Sequence, residues 1–218
     1  MANIKKENMK YVAAVISLPL VISIIISYGL VPTKEMSLIT SEIGISFVLI
    51  CALVMISSIL PQEIKHKIVF LKMRDELPGC RCHLLIKNDV RIDQADVIKY
   101  WPLLLDEKVD GKARNSSWYK EVYRCVRDTP QVESAHESFL LYRDSAAGLL
   151  ISSFFLACLY FLPKLGFPVP VEIEIVFIVT NLIVLIMAIV CAQSAGKRMV
   201  TNAVVEALNQ RLPRIETA

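Results

Sequence analysis

Four apolar runs, residues 11–31, 43–60, 145–162 and 175–195, contain no Asp, Glu, Lys, Arg or His, and they limit what this chain can fold into. Each approaches the roughly 20 residues a helix needs to cross the hydrocarbon core of a bilayer. The helices of a water-soluble domain need a polar face toward solvent, and runs of this composition cannot supply one. The sequence therefore reads as an all-α membrane protein whose four transmembrane helices form two hairpins. A mainly helical cytoplasmic domain, residues 61–144, lies between spans two and three.

Charge gives the plan a direction. The 24 basic and 21 acidic residues leave a net charge of only +3, too small to imply a nucleic-acid partner by itself. Their placement is more telling. The N-terminal segment 1–10 carries Lys5, Lys6 and Lys10 against Glu7, and the C-terminal segment 196–218 carries Lys197, Arg198, Arg211 and Arg214. The connection between the first two runs holds only Lys34, Glu35 and Glu42, and that between the last two holds Lys164, Glu172 and Glu174. The positive-inside rule then puts both termini and the middle segment in the cytoplasm of a multi-pass inner-membrane protein. The first run is longer than a signal-peptide core and lacks a small-x-small cleavage site, so it reads as a retained span.

The local patterns divide the middle segment. Helical spacing of Ile64, Ile68 and Leu71 predicts a helix leaving span two, with Pro78-Gly79 ending it. Residues 80–87 read as a short extended piece. Asp93 suits the N-cap of a helix to about Trp101, which Pro102 terminates. Residues 103–114 read as a polar loop, and Asn115 as the cap of a helix carrying Trp118, Val122 and Val126. Thr129-Pro130 is a start signal, and no breaker follows until Pro163, which predicts one helix from Pro130 to about Leu162. Beyond the fourth run, Val200, Val204, Leu208 and Leu212 predict a short amphipathic helix on the membrane surface or against the cytoplasmic segment.

Chemistry is sparse. No phosphate-binding glycine loop, nucleophile elbow or His-Glu-x-x-His pattern is present, so the chain reads as a non-enzyme without a cofactor. Cys80-Arg-Cys82-His83 lacks zinc-site spacing and a second ligand pair, so no metal is expected there. Thr180 and Asn181 put a hydroxyl and an amide inside the fourth run, where they either line a pore or hydrogen-bond a neighbouring helix. Arg81, Arg91 and Arg124 are candidates for holding the phosphate of a nucleotide messenger. Asp89-Val-Arg-Ile-Asp93 alternatively forms a salt-bridged turn that orders the domain.

Leu77-Pro-Gly79, Asp89-Val-Arg91-Ile-Asp93, Trp118-Tyr119 and Phe139-Leu-Leu-Tyr-Arg143-Asp144 occur in that order before the third run. With the two-hairpin plan, residues 62–145 resemble small multispan bacterial membrane proteins of anti-phage defence, particularly the transmembrane effectors paired with retrons. The resemblance implies a dormant toxin, restrained by a reverse transcriptase and its RNA–DNA hybrid. On infection it would be released to permeabilise the inner membrane and stop growth. It also implies that Arg91, Asp93, Trp118, Tyr119, Arg143 and Asp144 order the domain and couple it to the spans. The uncharged spans suit a homo-oligomer within the lipid bilayer. Two other readings fit the residues: a membrane-anchored sensor or scaffold, and a channel gated by a nucleotide messenger.

Overall fold

The computed structural model describes residues 2–28, 59–167 and 174–211, with side chains from residue 8 onward apart from residues 24 and 26–28. Every element among the described residues is helical. They divide into two compact units. One comprises the chain up to Ile68 together with Leu140–Val190, and the other Val69–Phe139 together with the chain from Cys191 onward. The predicted second span, residues 43–60, lies outside the described residues except for its last two.

In the first unit, helix α1 (Ala2–Tyr28) contains Pro19. Val12, Ile16, Pro19 and Ser23 recur at intervals of three and four and are all buried, whereas Tyr11, Leu18, Val21, Ile22 and Ile25 are exposed. Helix α2 (Gln62–Phe70) follows. It stops at Phe70 because Leu71 adopts a left-handed conformation, φ +51°, which breaks the predicted continuation well before Pro78.

The first elements wholly within the second unit are a 3-10 turn, Pro78–Arg81, and helix α3 (Cys82–Asn88), where the pattern predicts an extended piece. Pro78 fixes the turn's first φ, and Cys82 and Ile86, four apart, bury one face of α3 completely. Helix α4 (Gln94–Tyr100) starts at Asp93, whose carboxylate accepts from the Ala95 N–H as an N-cap should. Pro102 then opens a short helix, α5 (Pro102–Leu105), that buries Leu104.

Helix α6 (Gly111–Ser117) is capped by Asp110, which accepts from the Lys112 and Ala113 N–H groups. The predicted loop over 103–114 is therefore two helix starts, and Asn115 lies inside α6 rather than at its cap. A π-helical stretch, Trp118–Tyr123, continues into α7 (Arg124–Val126). Its wider turn lets Trp118, Val122 and Tyr123 all face inward.

Helix α8 (Pro130–Phe161) ends within one residue of its predicted bound. Helix α9 (Ile175–Arg211) is unbroken, so the predicted separate amphipathic tail is the end of the same helix that carries the fourth apolar run. Its C-terminal part contributes Met199, Val200, Ala203, Val204, Ala207 and Leu208 to the core that Ile86, Val97, Trp101 and Val132 also form. Of the two placements open for that segment, it takes the one against the middle segment. Both α8 and α9 are long and apolar enough to cross a membrane. At 1.5 Å per residue their 32 and 37 residues run about 48 and 55 Å, beyond the ~30 Å of hydrocarbon a span requires.

Candidate functional site

The motif residues fall into two groups, one in each unit. In the second unit, Asp89, Arg91 and Asp93 build an ordered turn. Arg91 donates from Nε to Asp89 Oδ1 at 2.9 Å and from Nη2 to Oδ2 at 2.7 Å, a bidentate clamp. The same guanidinium reaches α9, donating from Nη1 to Asn202 Oδ1 at 3.2 Å and from Nη2 to Thr201 Oγ1 at 3.4 Å. Asn202 in turn donates to the Gln131 carbonyl on α8. The hydrogen bonds from Arg91 hold the Asp89 carboxyl below the usual carboxylate range, so this clamp is intact at neutral pH. Arg91 thus ties a turn to two long helices, in keeping with the salt-bridged-turn reading.

Trp118 is buried and packs on Tyr123, with ring centroids 5.4 Å apart, and Tyr119 stacks on Tyr123 from the exposed side at the same distance. The Tyr123 hydroxyl and His136 Nδ1 share a hydrogen bond of 2.7 Å, which joins the π-helical stretch to α8. Burial, with Tyr119 nearby, pushes the Tyr123 phenol up to about 12. Beneath Trp118 lies Gly79. A Cβ there would come within 2.2 Å of Asn115 Oδ1 and 3.0 Å of the indole, so the Leu-Pro-Gly turn needs glycine for close approach.

Arg114, read from sequence as loop, is the most deeply placed cation of this unit among the described residues, only 3% exposed. It donates to the carbonyls of Cys80 at 2.8 Å, Asp106 at 2.7 Å and Val109 at 2.9 Å, binding the 3-10 turn to the loop before α6. Cys80 and Cys82 are buried beside it, and burial pushes their thiols up to about 11 and about 12. Burial and the Arg114 charge hold His83 below the ordinary imidazole value. Such thiols stay protonated and behave as small apolar residues rather than nucleophiles.

The proposed phosphate ligands stand in three different settings. Arg91 is committed to Asp89, Arg81 lies half-buried on the 3-10 turn, and Arg124 is exposed on α7.

In the first unit, Arg143 and Asp144 stand where the third apolar run begins. A single oxygen, Asp144 Oδ1, accepts from Arg143 Nε at 3.0 Å, Arg143 Nη2 at 2.8 Å and Lys65 Nζ at 3.1 Å. Arg143 Nη1 also lies 3.4 Å from His66 Nε2. Lys65 is 1% exposed and Arg143 5%, so both cations are withdrawn from water. Sequence reasoning missed Lys65 and His66. The available signal was spacing, since Lys65 falls four residues before Val69 on the buried face of α2.

Deeper in the third and fourth runs, Asn181 is 2% exposed and donates from Nδ2 to the Leu149 carbonyl at 3.2 Å and to Ser153 Oγ at 2.6 Å. Thr180 Oγ1 and Ser23 Oγ share a hydrogen bond of 2.9 Å that joins α9 to α1. Thr180 and Asn181 are thus placed as interhelix polar contacts. Asn181→Leu should cost about 1 kcal/mol, the usual worth of such a bond in an apolar medium. The measurement is the melting temperature of detergent-solubilised protein, and an unchanged value would remove Asn181 from the packing. No family model, curated protein or solved structure matches the chain.

Proposed function

We propose that the chain is a membrane effector of bacterial anti-phage defence that permeabilises or depolarises the inner membrane. In this reading, residues 11–31, 43–60, 145–162 and 175–195 span the bilayer. Both termini and the middle segment lie in the cytoplasm, and several copies assemble. A reverse transcriptase with its RNA–DNA hybrid restrains the assembly until infection. Membrane residence is supported above all by the exposed apolar surface of the first unit. Phe154, Phe155, Ile183, Ile186, Met187 and Val190 face outward, while Lys65, Arg143, Ser145 and Asn181 are buried with apolar residues such as Leu149 and Leu185. An exposed apolar surface of this kind fits lipid.

The effector role is supported by the resemblance of the ordered motifs from Leu77 to Asp144 to those of retron-paired transmembrane effectors. It is favoured over messenger gating because Arg91 is already engaged by Asp89. Overexpression without any restraining partner should collapse the membrane potential, read with a potential-sensitive dye, and arrest growth within a few generations. Normal potential and growth, with the protein confirmed in the membrane fraction, would sink the effector reading. Exchanging the four spans for unrelated ones should abolish the effect. Retention of the effect after that exchange would instead assign the activity to the cytoplasmic domain.

A further inference from the structure

Residues 71–74 leave α2 as an exposed run in which apolar and cationic side chains alternate. Leu71 is 73% exposed and Met73 79%, and Lys72 and Arg74 lie in solvent beside them. Among the described residues neither cation makes an ion pair. The first acid that follows does not face them outwardly. Asp75 is half-buried and turns its carboxylate toward Gly111 at the start of α6, so close that a Cβ on that glycine would meet it at 2.6 Å. The loop keeps an acid inside and displays two cations and two large apolar groups outside.

The backbone adds an independent observation. Leu71 sits at φ +51° immediately after a helix end, a position where glycine is the ordinary choice. A leucine held there in a disfavoured conformation, with its side chain outside the core, is a local cost that packing does not explain. The loop is also close in chain terms to the second apolar run. Only the nine residues of α2, about 14 Å of helix, separate it from Pro61.

We infer that residues 71–74 form a bilayer-contact loop. Leu71 and Met73 enter the headgroup layer, and Lys72 and Arg74 engage the phosphates of anionic phospholipid. Alternating apolar and basic groups are the pattern by which peripheral segments hold a negatively charged membrane surface. The inference rests on the membrane reading above, and its test separates the two.

The full chain is reconstituted in nanodiscs of phosphatidylglycerol or of phosphatidylcholine, with photoreactive p-benzoylphenylalanine at position 73 or at position 186. Position 186 is an outward-facing site in the fourth run. Irradiation should give phospholipid adducts at 186 in both lipids, and at 73 mainly in phosphatidylglycerol. Lys72→Glu with Arg74→Glu should cut the adducts at 73 by roughly thirtyfold or more, the loss expected of two cations near an anionic surface. Leu71→Gly suits the left-handed backbone, so it should keep the melting temperature while lowering the adduct yield at 73. Equal adducts at 73 in phosphatidylcholine, or crosslinks there to a second copy instead of lipid, would overturn the inference while adducts at 186 leave membrane residence standing. Absence of lipid adducts at 186 would overturn the membrane reading itself.

Discussion

Replacing Asp144 with Asn is expected to destabilise the folded protein by about 3 kcal/mol, the lower end of what breaking a buried ion pair costs. One oxygen of this carboxylate receives both Lys65 and Arg143, and the isosteric amide removes the charge while leaving both cations in place. Asp144 keeps some contact with solvent, which is why the lower end of the range applies. In a chain of this size the loss corresponds to a melting temperature lower by roughly 6–12 °C, read by circular dichroism in detergent. Combining Lys65→Met, Arg143→Met and Asp144→Leu should restore much of the stability, because apolar side chains then replace all three charges together. A melting temperature unchanged by Asp144→Asn would mean that the cluster contributes nothing to holding α2 on α8.

Arg114→Leu should be at least as damaging, at about 4 kcal/mol. Three carbonyls lose a charged donor at once, and each buried acceptor left unsatisfied costs ~1–3 kcal/mol before relaxation. Arg114→Lys should recover only part of this, since an ammonium on a flexible stem cannot reproduce a planar fork that reaches Cys80, Asp106 and Val109 together. The comparison of Leu, Lys and wild-type melting temperatures checks the assignment. Equal stability of the Lys and wild-type proteins would show that charge alone, not fork geometry, is what the site uses.

The long elements were legible because their signals are additive along many residues. Pro130 to Phe161 contains no breaker, and Asp93 sits in front of an apolar-periodic stretch with a side chain that can cap it. The short elements were not. Cys82 and Ile86 offer only one helical repeat, which also reads as part of a strand, and burial against Val200 and Val204 decides for helix. The fourth run and the amphipathic tail were separated because Lys197 and Arg198 interrupt the apolar composition. The backbone passes through them without a break, since their charges face solvent while Met199 and Val200 face inward.

The motif residues show the same division. Arg91 and Asp93 could be paired with local partners on sight. Lys65 could not, because its partner Asp144 lies 79 residues away. Arg114 could not either, because it is held by backbone carbonyls, two of them nearby at Asp106 and Val109 and one 34 residues away at Cys80, and no side chain marks a carbonyl acceptor. Buried polar contacts between remote segments are visible only once the chain has folded.

The shared use of α9 has a consequence for biogenesis. The core of the polar unit needs Val132 and Ala135 from one side and Val200, Val204 and Leu208 from the other. Between these two sets the ribosome must make the whole of the third and fourth apolar runs. The polar segment therefore emerges first and waits with its core unsealed. Only after both hydrophobic runs have been synthesised can the closing helix arrive. Completion of this domain thereby certifies that the runs before it have been synthesised, and a ribosome stalled before Val200 leaves an open core for quality-control proteases to find.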